Sequence, residues 1–114
     1  MIIDFHAHTF PDKIAAAAVA SLEQKAHARA HTDGTQRGLC DAMESAGIDH
    51  AVVLPVATNP LKCASMNNAS HTLNGSESLT YFAAIHPDAP DWHEELGRAK
   101  SLGFKGVKIH PVYQ

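Results

Sequence analysis

Apolar residues in this chain fall into short unbroken blocks separated by longer stretches in which they recur at helical spacing. Ile2, Ile3 and Phe5 form the first block; its strand formers and the stop at Pro11 predict a short strand of the kind buried in a parallel sheet. From about Asp12 to Lys25 the pattern becomes helical, with Asp12 placed to cap and Ile14, Ala18 and Leu22 repeating along one face. The alanine run 15–18 within it is filler of high helix propensity. A polar loop spans Ala26 to Gly34. A second helix is expected from about Thr35 to Ser45, with Thr35 as N-cap, Leu39, Met43 and Ala46 on one face, and Gly47 as the stop.

The alternation then repeats. Ala51-Val-Val-Leu54, ended by Pro55, predicts a buried strand, and Asn59-Pro60 supplies a cap and a first-turn proline for a helix through about His71. After the turn signal Asn74-Gly-Ser76, the block Leu79 to Ile85 predicts a third strand, stopped at His86-Pro87. Asp91 to Leu102 predicts a helix with Trp92, Leu96 and Ala99 facing inward, closed by Gly103. Lys105 to Ile109 predicts a fourth strand, stopped at His110-Pro111. Strand then helix, repeated without a tandem hairpin signal, is the pattern of an α/β chain built from parallel units joined by right-handed crossovers.

In such folds ligands gather at the carboxyl ends of the strands. The composition is otherwise ordinary, but it includes nine histidines in 114 residues, and the strand ends carry His6 with His8, His86, and His110. Within His6-Ala-His8, residues i and i+2 share one side of a strand with Cα atoms about 7 Å apart. Two imidazoles at that spacing can converge on a zinc ion or a similar divalent metal at about 2.0–2.1 Å. Asp4 lies on the same side, one pair deeper, where it can orient a ligand. His110 shares a strand face with Lys108 and is expected to contact substrate or support the site, and His86 has either a pocket role or a structural one. His27 and His31 lie in the polar loop, and His50, His71 and His93 are expected to be solvated.

The formal net charge of -3 is unclustered and offers no footprint for nucleic acid or an anionic membrane surface. The longest apolar run, Ile14 to Ala20, is far short of the roughly 20 residues a bilayer requires, and Met1 to Asp4 contains no basic leader, so the expected address is cytoplasmic. Cys40 and Cys63 form no CxxC pair and fit best as small buried apolar residues in a reducing compartment. No GxGxxG, Walker or GxSxG element supports nucleotide binding or serine catalysis.

The segment Asp4-Phe-His-Ala-His-Thr-Phe-Pro11 resembles the opening motif of the amidohydrolase superfamily, in particular the amidohydrolase-2 group of metal-dependent hydrolases and decarboxylases related to aminocarboxymuconate semialdehyde decarboxylase. The likeness continues through Gly47 to Pro55, Phe82 to Pro87 and Leu102 to Pro111, in order, over essentially the whole chain. This resemblance implies a TIM-type (β/α)8 barrel with a divalent metal, usually zinc, at its mouth, His6 and His8 being two ligands. It also implies further ligands on later strands: a histidine near the fifth, in some members one at the sixth, and an aspartate at the eighth that acts as general base. Some amidohydrolases bridge two metals with a carbamylated lysine on the fourth strand, here Lys108, but the decarboxylase-like group generally binds a single metal without one.

A complete barrel takes about 250 residues, so 114 residues correspond to an N-terminal (β/α)4 half, a single partial domain whose general base is expected beyond the end of this chain. The expected activity is hydrolysis or decarboxylation of a small carboxylated, amide or lactone substrate. A half-barrel leaves strand edges and apolar surface open, so a homo-oligomer or pairing with the missing half is expected. One alternative is a non-catalytic half-barrel that self-associates, because two histidines are too few for a stable zinc site unless a symmetric dimer brings four together. A further alternative is a phosphoesterase of the polymerase-and-histidinol-phosphatase or TatD type, which also begins with a strand ending in HxH.

Overall fold

The computed structural model of the chain describes residues 1–76 and 78–114. Strand β1 (Ile3–Ala7) pairs in parallel with β2 (His50–Val53), and β2 pairs in parallel with β3 (Leu79–Tyr81). Strand β4 (Ala83–Ala84) pairs in parallel with β5 (Val107–Lys108). The helices between them are α1 (Asp12–Ala26), α2 (Gln36–Ala46), α3 (Cys63–Leu73) and α4 (Trp92–Ser101). The result is an α/β chain with every described strand pair parallel, as the alternation of blocks predicts.

The predicted third strand, Leu79 to Ile85, is divided at Phe82 into β3 and β4. Phe82 N–H donates to the Val53 carbonyl at 3.0 Å, whereas Ala83 N–H donates to the Gly106 carbonyl at 2.9 Å. The chain therefore changes neighbour within one residue, because β2 lies alongside its first half and β5 alongside its second. Such a stagger is what a sheet needs in order to coil. Another irregularity interrupts the β1–β2 register between Asp4 and Ala7, next to His6.

The helix boundaries follow local chemistry. Thr35 caps α2 by accepting the Gly38 N–H on Oγ1 at 2.9 Å, and Gly47 closes that helix at φ 68°, the left-handed conformation that glycine adopts without steric cost. Asn59 caps a turn of 3-10 helix (Pro60–Lys62) that leads into α3, so the predicted third helix begins with a tighter turn. At α1 the expected cap is displaced: Pro11 occupies the cap position and Asp12 is the first helical residue, where its carboxylate still suits the positive end of the helix.

Three predicted inward faces are corrected. In α1, Ala18 and Leu22 are partly buried as expected, but Ala15 is buried in place of Ile14, which is 52% exposed. In α2, Leu39 and Met43 are buried as expected but Ala46 is exposed. In α4, Ala99 is buried, whereas Trp92 and Leu96 are exposed and Glu95 is buried in their place. The cause is polar: Glu95 Oε1 accepts from Asn67 Nδ2 at 2.7 Å, and Glu95 Oε2 accepts from Arg98 Nε at 2.7 Å. Asn67, itself fully buried on α3, accepts the Ala84 N–H at 2.7 Å and donates to the Ala84 carbonyl at 3.0 Å. This network ties α3 and α4 to β4. Among the described residues, no buried side-chain nitrogen or oxygen is left without a partner.

The main core lies between α2 and the first sheet, where Leu39 and Met43 meet Ala7, Ala51, Val53, Leu79 and Tyr81. A smaller cluster of Ala57, Cys63, Ala84 and Ala89 sits under α3. Both cysteines are free, Cys63 being buried and Cys40 partly so, in keeping with their reading as small apolar residues. The outermost strands expose Ile3 and Phe5 on β1 and Val107 on β5, and Ile109 just beyond β5 is exposed as well. No described helix is long and apolar enough to cross a membrane.

Candidate functional site

His6 and His8 stand together at the carboxyl end of β1, their rings edge-to-face with centroids 5.0 Å apart. His8 Nδ1 is 2.8 Å from the carbonyl of Leu54, the residue that follows β2. A carbonyl can only accept, so Nδ1–H is the donor, and in the neutral ring the lone pair is on Nε2. This is the arrangement in which a backbone carbonyl holds one ring nitrogen and leaves the other free to ligate. Nothing in a sequence marks a backbone oxygen, so Leu54 carries no signal that motif reasoning could have used.

Solvent still reaches His8, but protein atoms crowd its ring enough to disfavour the imidazolium. That desolvation is the largest cause holding His8 below the ordinary histidine range; the Leu54 hydrogen bond opposes it, and nearby His6, Lys108 and His110 add to it. The neutral form, which a metal requires, is favoured accordingly.

His6 is held differently. Its backbone N–H donates to Asp4 Oδ1 at 2.9 Å, and its Nε2 lies 3.4 Å from Lys108 Nζ. The Asp4 carboxylate thus braces the His6 backbone at the irregular step of β1, in place of the expected contact with an imidazole. Lys108, as an ammonium, is the donor to His6 Nε2.

His110 follows β5, with its ring stacked on Tyr113 at a centroid distance of 4.4 Å and its Nδ1 accepting the Val112 N–H at 3.3 Å. Gln114 accepts the His110 N–H at 2.6 Å and donates to the carbonyls of Ala57 and Ile85 at 2.8 and 2.9 Å. One side chain therefore laces together three segments that follow strands, a role that isolated sequence position does not reveal. His86 is buried; its N–H donates to Cys63 Sγ at 3.2 Å and its Nδ1 accepts the Asp88 N–H at 3.1 Å, contacts that shape the turn after β4.

The structure thus gathers His6, His8, Lys108 and His110 at one end of the strands and gives His86 a local structural engagement. The other histidines are dispersed. His50 departs from the solvated expectation: it is partly buried in β2, with Nε2 2.9 Å from Thr80 Oγ1. His27 closes α1 in the left-handed conformation at φ 50°, and His31, His71 and His93 are exposed.

The donor set suits a divalent ion in type and falls short of one in number. Both Nε2 atoms carry lone pairs, but a four-coordinate zinc site takes three or four protein donors. Among the described residues no group of three histidine, cysteine, aspartate or glutamate side chains is placed to hold an ion. His6 and His8 can supply two donors once Lys108 releases His6; the others must come from elsewhere. No protein-family model, curated protein or solved structure matches this chain.

Proposed function

We propose that this chain is the histidine-bearing part of a metal-dependent hydrolase or decarboxylase of the amidohydrolase-2 type, an N-terminal (β/α)4 half of a TIM-type barrel. Its substrate is a small carboxylated, amide or lactone compound, and its cofactor is a divalent metal, zinc by the nature of the donors. The observation that carries this reading is the paired imidazoles of His6 and His8, with the Leu54 carbonyl directing the lone pair of His8 to Nε2. Bound there, a divalent ion supplies Lewis-acid polarisation of a carbonyl and lowers the pKa of water. The chain's own contribution is to keep His8 neutral and oriented, to brace His6 through Asp4, and to bring the Lys108 cation to the same end of the sheet, where it can attract a substrate carboxylate. A cytoplasmic address belongs to the same proposal.

Zinc titrated into the chain and followed at the His6 and His8 ring protons by NMR, where a weak two-donor site is still seen, tests the reading. Zinc binding that is lost in His6→Ala and in His8→Ala is the expected result; rings that zinc leaves unmoved overturn the ligand assignment. Turnover of carboxylated, amide or lactone substrates, but not of phosphate esters, by this chain together with the missing half that carries the general base separates the amidohydrolase-2 reading from the phosphoesterase one.

A second reading, a self-associating half-barrel without catalysis, is favoured by the donor shortfall and by the apolar residues on both outermost strands, Ile3 and Phe5 on one and Val107 on the other. A zinc-free dimer with no turnover of any of these substrates would select it.

A further inference from the structure

We propose that the cavity between α1 and the segment 27–34 is a binding subsite for a single uncharged ring, opening beside His8. Its volume is about 200 Å³, and it is lined by His8, Phe10, Val19, Leu22, Ala26 and Ala30 among others, an almost wholly apolar wall. A dry apolar cavity of about 150 Å³ accepts a benzene-sized molecule, whereas sites for larger organic ligands begin at about 300 Å³. The depression here is open to solvent, with His8, Ala26, Ala28 and Ala30 exposed on its rim, and its volume is that of one ring lying against the wall.

Backbone contacts hold two sides of the depression together. Gly34, at φ 79°, packs so closely beneath α1 that an added Cβ would lie 2.5 Å from Val19 Cγ2 and 3.3 Å from Phe10 Cδ2. The Gly34 carbonyl accepts the Phe10 N–H at 2.8 Å, which pins this end of the segment. At the other end, the Ala28 N–H donates to the Glu23 carbonyl at 3.3 Å and the Ala30 N–H donates to Glu23 Oε1 at 2.7 Å. The segment is tied to Phe10, just before α1, at one end and to Glu23 of α1 at the other, and the small side chains of Ala26, Ala28 and Ala30 leave the space between them open.

Charge orients the occupant. The Glu23 carboxylate is turned to the segment backbone, where its Oε1 accepts the Ala30 N–H at 2.7 Å, so the wall itself offers an occupant little but apolar surface. His8 is shared with the candidate metal site, where Lys108 stands 3.4 Å from His6 Nε2. A ring seated in the cavity would direct a polar or acidic substituent toward His8 and Lys108. That the ring is the apolar end of the substrate rests on the metal-dependent reading above; the ring subsite itself does not.

Benzyl alcohol titrated into the full chain, followed by methyl NMR, tests the subsite. Saturable shifts at the Val19 and Leu22 methyls are expected. The affinity should fall at least tenfold in Ala26→Phe, which fills the cavity, and stay unchanged in Ile14→Ala on the exposed face of α1. Should Ala26→Phe fail to fold, intermolecular NOEs between the probe's ring protons and the Val19 and Ala30 methyls of the unsubstituted chain decide the question. Absence of these NOEs, or shifts that Ala26→Phe leaves untouched, would overturn the subsite. The titration is run with chelator and again with one equivalent of zinc: ring contacts without zinc uptake leave the subsite standing and sink the metal reading, whereas zinc uptake without ring contacts sinks the subsite alone.

Discussion

Lys108 Nζ lies 3.4 Å from His6 Nε2 although 102 residues separate them, so one contact joins the two outermost strands at the end where the histidines gather. The contact places a fixed cation against a pair of groups whose use as ligands requires them neutral. Replacing that cation should therefore be felt at His8, whose imidazolium it disfavours. In Lys108→Met the His8 midpoint is expected to rise, as read from the ring-proton shifts in an NMR pH titration. A midpoint that does not move would place the ammonium elsewhere in solution.

The lowered His8 value also makes stability depend on pH. The unfolded chain binds that proton more readily than the folded one, so folding stability rises with pH through the histidine range. The contribution is complete above the unfolded value of about 6.5 and is lost as the pH falls through the lower folded value. Urea midpoints measured in chelator at pH 7.5 and 5.5 should fall toward the acid side, and His8→Gln should make the fall shallower.

Glu95 behaves in the same direction in a more acid window. The Arg98 hydrogen bonds hold its carboxyl below the usual glutamate range, Asn67 adds to this, and burial opposes it. Its contribution is present above about pH 4.3 and is lost as the pH drops through the depressed folded value. Acid unfolding followed by circular dichroism should therefore be less steep in Glu95→Gln than in the parent chain.

Asn67 is the more sensitive member of that network. Replacing it with leucine would leave both backbone groups of Ala84 without their partner inside the protein. At about 1–3 kcal/mol per orphaned buried group, a loss of about 2–6 kcal/mol is expected from denaturant unfolding. Amide exchange at Ala84 should accelerate more than exchange at Ala51, which lies in the other sheet.

Gly106 is needed for a different reason. An added Cβ there would collide with the Phe82 ring, the residue at which the chain changes its neighbouring strand. Gly106→Ala should cost about 1–3 kcal/mol, the range for overpacking. Adding Phe82→Leu should recover part of the loss, whereas an equal loss in the double variant would show that the clash is not the cause.

Local signals made much of this architecture legible. Thr35 and Gly47 bound α2 by rules of capping and backbone conformation that act over a few residues, and the apolar blocks marked where strands lie. What local reasoning misplaced were orientations. Ile14, Trp92 and Leu96 look like core residues at helical spacing, yet they are exposed, because the inner face of α4 is set by the buried Asn67–Glu95–Arg98 network and that of α1 by Ala15. Likewise the block Leu79 to Ile85 gives no sign of its division at Phe82, which depends on where β2 and β5 end beside it.

The candidate site divides along the same line. That His6 and His8 would stand near each other at a strand end was legible in the sequence, together with the order of strands and helices, although β1 ends at Ala7 and its register is irregular next to His6. The Leu54 carbonyl behind His8, Lys108 beside His6, and Gln114 across three strand ends were decided by tertiary structure alone. Periodicity fixes which residues of one segment share a face, whereas contacts between segments depend on stagger and curvature of the sheet, which no single segment encodes.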